Sequence, residues 1–298
     1  MEVDTAMTVV PPPPPPLPPA VPASKRDDGF SRTVSCMNDD PSTAAVKVLR
    51  RQMDRICKGD ETVAVVSKLC PIEPVLQRGP QCGLVALVMA SQLLQPSSPV
   101  CVTRAFETAK ALGFTSKGEM FSVENMRLLS EHFLDCQSEV LHCPIDHRRL
   151  LIEHLLRGKP ILVPYDSDGN FEPCLKGGHT AHWAVIHGFC LVLPAEVVNN
   201  AADCSHWEND FELGKRLRHI AAGSTAQTVT TLVECSNSIF VYASQGKSRQ
   251  VGLWDLECLL RSNANLAEAT RKHDDVSEFV LPSGGLMEGL AGKLLLLR

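Results

Sequence analysis

Two residues of this 298-residue chain have the type and setting to perform acyl transfer together, Cys82 and His182. A thiol attacks only as thiolate, and a free cysteine with a pKa of about 8.5 is mostly protonated at neutral pH. Cys82 stands where the extended, proline-containing stretch from Pro71 to Pro80 gives way to Cys-Gly-Leu-Val-Ala-Leu, a run with helical character. Unpaired N–H groups and a partial positive charge gather at a helix N-terminus, so this position is expected to lower the thiol pKa. The Cys82 N–H can also face an oxyanion, and Gln77, in Gln77-Arg-Gly-Pro-Gln-Cys82, is the candidate second donor.

The thiol needs a base. His182 opens the apolar run His182-Trp-Ala-Val-Ile-His187. Strand alternation sets His182, Ala184 and Ile186 on one face and Trp183, Val185 and His187 on the other. A third group to orient the imidazole is expected near the next strand-like run: Gln245, with Asn237 and Asp255 as alternatives. Taken singly, Cys82 reads as a buried cysteine, and His182 or His179 as a strand-end or loop histidine. The combination of Gln-x4-Cys-Gly before a helix with His-Trp opening a strand is far more specific than either part. His142, His147 and His154 are spaced so that they share no helix face, and the chain has no C-x-x-C. Neither a metal nor a cofactor is expected.

The elements that must position this pair can be read from periodicity. Val46, Leu49, Met53 and Ile56 make one face of a helix starting near Pro41-Ser42 and stopping at Gly59. A β-prone run spans 62–66. The helix after Cys82 ends at Pro96, and further helices are predicted over 101–112, 122–135 and 146–157. Strands are predicted at Ile161–Tyr165, His182–His187, Ser238–Tyr242 and Lys293–Leu297. Helices first and strands later suggest an α+β fold, a helical lobe packed on an antiparallel sheet. Residues 191–236 read as a long loop insertion between two neighbouring strands. The division is a disordered proline-rich tail, 1–42, and a catalytic domain, 43–298.

In that tail Pro11 to Pro16 is unbroken, followed by Leu17, Pro18 and Pro19. Such a run adopts polyproline II and serves either as a stiff spacer or as a ligand for profilin, SH3, WW or EVH1 grooves. The formal net charge of −5 supplies no electrostatic footprint for nucleic acid. No run reaches the ~20 apolar residues of a membrane span. The N-terminus has neither a secretory signal nor Gly at position 2, so a cytoplasmic location with reduced cysteines is expected.

These motifs resemble papain-fold peptidases of the C39-like, bacteriocin-processing kind. More closely, the chain resembles the actin maturation protease family. The stretches that carry the likeness are the proline-rich N-terminus, Leu76-Gln-Arg-Gly-Pro-Gln-Cys-Gly-Leu-Val-Ala-Leu, Thr180-Ala-His-Trp-Ala-Val, Gln245-Gly-Lys-Ser-Arg, Leu253-Trp-Asp and the C-terminal Gly-Lys-Leu-Leu-Leu-Leu. The resemblance implies a cytosolic cysteine-type aminopeptidase. Its substrate would be immature actin, from which it removes the N-acetylated first residue, methionine or cysteine. Its tail would recruit profilin and, through it, profilin-bound actin. An acetylated terminus has no ammonium group for an ordinary aminopeptidase, but a thiol can cleave after it. Actin is acidic after its first residue, and Arg78, Lys176, Lys247 and Arg249 lie in or near the site segments. The chain departs from the C39-like pattern in one place: Gln77 stands one residue closer to the cysteine. The rival readings are a profilin- or SH3-binding adaptor with an inactive peptidase fold, and another Cys-His acyl enzyme such as a deubiquitinase.

Overall fold

The first helix is started by its own sequence. The Asp40 side chain accepts from the Thr43 N–H at 3.4 Å, and Pro41 occupies the first turn, where its missing N–H costs nothing. This helix, α1 (Pro41–Ile56), buries Ala45, Leu49, Met53 and Ile56. The stripe therefore begins at Ala45, beside the Val46 that periodicity selects. The structure is a computed structural model and describes residues 40–201, 204, 207–220, 226–267 and 278–298. The proline run and the rest of the tail before residue 40 lie outside the described residues.

In chain order there follow β1 (Val63–Leu69), α2 (Cys82–Leu94), α3 (Val102–Ala111), α4 (Val123–Leu134) and β2 (Ser138–His142). A 3₁₀ turn (Pro144–His147) leads to α5 (Arg148–Leu156), β3 (Ile161–Asp166), β4 (Ala181–Pro194), α6 (Ala195–Asn199), β5 (Glu208–Asp210) and β6 (Gly214–His219). The chain continues with α7 (Ala226–Cys235), β7 (Ser238–Gln245), β8 (Gly252–Asp255), α8 (Leu256–Ala264), α9 (Gly285–Gly289) and β9 (Lys293–Leu297). The α+β class holds. The sheet order is β2-β9-β3-β4-β1-β6-β5, with β7 paired to β4 and β8 to β7. It is a mixed sheet and not the purely antiparallel one expected, because β6 runs parallel to β1. β6 enters as the second strand of the β5–β6 hairpin, within the 195–237 connection, and has no hairpin link to its neighbour β1, which leaves its direction against β1 free.

β4 is the hub. β3 pairs with residues 181–186 and β1 with 188–194, while β7 pairs with 184–192. The β7 ladder overlaps both others, so β3 and β1 must share the opposite edge of β4 and hand over where the register breaks, between Ile186 and Gly188. His187 fills that break. Its Nδ1 lies 2.7 Å from the Cys70 carbonyl and its Nε2 3.1 Å from the Ser244 hydroxyl. A Cβ on Gly188 would stand 2.4 Å from the Lys68 carbonyl oxygen, so only glycine allows β1 this close. The break also reverses the strand parity. Ala184 and Ile186 join Phe189, Leu191 and Leu193 in one core, while Trp183 and Val185 face another. The predicted alternation therefore holds as far as Ile186 and inverts beyond it.

The 191–236 segment is not a loop insertion. Residues 191–194 complete β4, and α6, β5, β6 and α7 occupy much of the remainder. Val198, Trp207, Ile220, Val229 and Leu232 from this stretch are buried in the same core as β3 and β4. Its strands are short and polar on one face, which hides them from periodicity. The second core centres on α2, buried from Gly83 to Ser91 and packed among α3, α4 and β9. Among the described residues no helix is long and apolar enough to cross a membrane.

Candidate active site

Cys82 is the first residue of α2. Gln81 precedes it as N-cap without capping by its side chain, and the first turn holds no acid, so the helix N-terminus is left open beside the thiol. The N–H groups of Cys82, Gly83 and Trp183 all act on the sulfur. The Trp183 contact follows from topology: β7 ends at Gln245 opposite Ala184, and the β4 backbone beyond that point faces α2. The expected lowering of the thiol pKa is nonetheless not what results. The residue keeps some accessible surface, but its sulfur is closely surrounded. Burial pushes the thiol up, by more than the three N–H groups and the Lys247 charge bring it down.

His182, on β4 next to Trp183, is 7% exposed. Its Nε2 lies 3.3 Å from Gln245 Oε1, and that same oxygen is 2.5 Å from the Lys247 backbone nitrogen. A backbone N–H can only donate, so the Gln245 atom must be the carbonyl oxygen. His182 Nε2 must then carry the proton, and Nδ1 keeps a lone pair able to accept one. Burial pushes His182 down to about 4; the Gln245 bond works against this, and the Lys247 charge adds to it. The base is thus neutral throughout the physiological range. Tyr165 stands edge-on to the imidazole at 5.8 Å, and Phe171 lies at 5.8 Å and 37°.

Of the three candidates for the orienting group, the structure brings only Gln245 to the histidine. Asn237 precedes β7, whose first residue pairs with Val192, ten residues along β4 from His182. At ~3.3 Å per residue that is some 30 Å away. Asp255 pairs with Phe240 and caps α8 by accepting from the Cys258 N–H at 2.9 Å. Both line a separate cleft with Arg148. Among the histidines weighed as ligands, His154 is buried with Nε2 3.2 Å from the Pro160 carbonyl, a structural role.

Gln77 is tied to the same turn as Gln245. Its N–H donates to the Gly246 carbonyl at 2.8 Å, and its Nε2 donates to the Gly79 carbonyl at 2.7 Å, leaving a second amide N–H. A Cβ on Gly246 would lie 2.7 Å from Gln77 Oε1 and 3.2 Å from Val85, one turn along from Cys82. Gly246 therefore permits the approach of Gln77 to α2. Arg78, Lys176, Lys247 and Arg249 are exposed, and none pairs with an acid among the described residues.

Several residues that serve the site were not foreseen. Phe171 adopts φ +63°, and its carbonyl accepts from the Tyr165 hydroxyl at 2.8 Å, which holds the β3–β4 loop against His182. Asp166, fully buried, accepts from the Lys176 N–H and from Asn265 Nδ2, fastening the far end of that loop. On the other side, Glu119 is 2% exposed and accepts N–H groups of Ser116, Lys117 and Val280 at 2.7, 2.7 and 3.0 Å. It shapes a wall around Cys82: a Cβ on Gly118 would meet Gln81, and the Met120 carbonyl accepts from Trp183 Nε1 at 2.7 Å. The only sequence sign of this wall is Thr115-Ser-Lys-Gly-Glu, a turn-like run.

Comparison with known proteins points to one family. Residues 72–190, which include Cys82 and His182, match the family described as actin maturation protease-like, C-terminal domain. An actin maturation protease of Danio rerio is 38% identical over 229 residues, 76% of this chain and 72% of that protein. The Xenopus tropicalis protein of the same name is 34% identical over 266 residues, 87% of this chain and 82% of its own length. The Mus musculus one is 40% identical over 227 residues, 75% of this chain but 61% of the longer mouse protein. The chain belongs to the actin maturation protease family.

Proposed function

We propose that this protein is a cysteine protease that removes the N-acetylated first residue, methionine or cysteine, from immature actin. The observation that carries the chemistry is the His182 tautomer, set by Gln245 and Lys247, which leaves Nδ1 as a base for a neutral thiol. The names of the relatives support the substrate. We place the fold among papain-like, C39-like peptidases, on the support of a central helix opening at Cys82 and a strand opening beside His182.

In this reading the Cys82 proton passes to His182 Nδ1 as the sulfur attacks the carbonyl of the acetylated residue. Gln77 and the Cys82 N–H hold the oxyanion. The C–N bond breaks, the imidazolium protonates the leaving amine, and the shortened protein departs. Water, deprotonated by His182, then cleaves the thioester and frees the acetyl-amino acid. Tyr165 and Phe171 hold the imidazole plane and exclude water from it. The enzyme acts in the cytoplasm, where its cysteines, free at every described position, stay reduced. The Pro11–Pro19 segment binds profilin and so brings in profilin-bound actin.

Incubating N-acetylated actin peptides with the native protein and with Cys82→Ala, followed by mass spectrometry, tests the assignment. Release of acetyl-methionine by the native protein alone is expected, and undiminished release by Cys82→Ala overturns it. Deleting the tail should slow action on profilin-bound actin and spare short peptides.

A further inference from the structure

We infer that the cleft beside Gln245 is a binding site for an acidic peptide segment, the one that follows the bond being cut. The inference rests on the proposed hydrolysis and adds where the rest of the substrate lies. A cleft of about 280 Å³ opens between α1, the β3–β4 loop and the β7–β8 turn. Two of its lining residues are neighbours of the base: Gln245 is hydrogen-bonded to His182, and the Phe171 ring lies tilted beside it at 5.8 Å.

The direction of the substrate follows from proton transfer. The imidazole that takes the thiol proton must hand it to the leaving amine, so that amine lies on the His182 side of the sulfur. The chain attached to the amine runs on past the imidazole, towards Phe171 and Gln245, and enters this cleft. Arg51 of α1 lines it, as do Ser248 and Gln250, whose neighbours Lys247 and Arg249 are exposed. None of these three cations pairs with an acid among the described residues, and Glu172 is the single acidic lining residue. Cations held without partners around a cleft favour carboxylates entering it. Arg51 lies outside the 72–190 match, so this site is built partly from residues beyond the matched region.

The test is fluorescence anisotropy on the full-length Cys82→Ala protein with two labelled decapeptides, one rich in Asp and Glu and one with Asn and Gln in their place. The acidic peptide should bind about tenfold more tightly at low salt, and the advantage should shrink as salt rises. Arg51→Glu should abolish the preference, and Arg51→Lys should retain most of it. Equal binding of the two peptides, or a preference that survives Arg51→Glu, overturns the assignment. The two ideas fail separately. Arg51-dependent binding by a protein that never cleaves the acetylated peptide supports the cleft and sinks the hydrolysis. Cleavage whose acidic preference ignores Arg51 does the reverse.

Discussion

Gln245 Oε1 lies 3.3 Å from His182 Nε2 and takes the Lys247 N–H at 2.5 Å, so one amide oxygen determines which imidazole nitrogen is basic. The amide is neutral. It orients the ring without the charge that a carboxylate would add, and burial keeps the imidazole at about 4. Burial raises the Cys82 thiol as well, so it pushes both members of the pair toward their neutral forms. Slow alkylation of Cys82 in the free protein is therefore compatible with full activity.

The first prediction concerns this pair. The acid limb of kcat/KM should fall near pH 4, with a plateau through neutrality. Gln245→Glu places a carboxylate against Nε2, favours the imidazolium and moves that limb upward. Gln245→Ala should lower kcat about ten- to a hundredfold through loss of ring orientation. An unmoved acid limb in Gln245→Glu would show that Gln245 does not act through His182.

Gly246→Ala forces Gln77 or Val85 to shift, since the added Cβ would stand 2.7 Å from Gln77 Oε1. An oxyanion donor acts mainly in the transition state, so kcat should fall while KM changes little. Steady-state kinetics on a short acetylated peptide measures this. A pure rise in KM would remove Gln77 from the oxyanion role.

Glu119→Ala leaves three backbone N–H groups of the wall beside Cys82 without their acceptor. Destabilisation of about 1–3 kcal/mol is expected. In the folded fraction the wall should loosen, with a larger loss in kcat than in peptide affinity. Denaturant melts and titrated active-site concentrations separate the two effects, and wild-type kcat per folded enzyme would refute the positioning role.

Acid should destabilise the fold before the carboxylates titrate. His154, His182 and His187 are each buried and held at about 4, below the ordinary 6.5. Between those values the unfolded chain binds more protons than the folded one, so stability is complete above about pH 6.5 and is lost as pH falls toward 4. At about 1.4 kcal/mol per pKa unit for each group, the loss is on the order of several kcal/mol. Thermal melts from pH 7 to pH 4.5 should show a steep fall in Tm, shallower in His154→Gln. A flat Tm over that range would contradict the burial of these rings.

The chemistry of this protein was legible wherever local pattern and local need coincide. Cys82 follows an extended proline-containing stretch and precedes an unbroken apolar run, so its helix start is written in neighbouring residues. His182 opens a run that can only be a buried strand. The paired histidine partner was not legible in the same way. Gln245, Asn237 and Asp255 can each accept from an imidazole N–H, and it is the register of β7 on β4, which sets Asn237 some 30 Å from His182, and of β8 on β7 that leaves only Gln245 beside it. The thiol pKa was misjudged for a related reason. A helix terminus is a local feature, whereas burial depends on every element packed around the sulfur, and burial is the larger effect. The sequence by itself picked out the candidate nucleophile, the candidate base and the α+β class. Only the tertiary structure decided the mixed sheet, the partner that sets the tautomer, and the burial that pushes both groups toward their neutral forms.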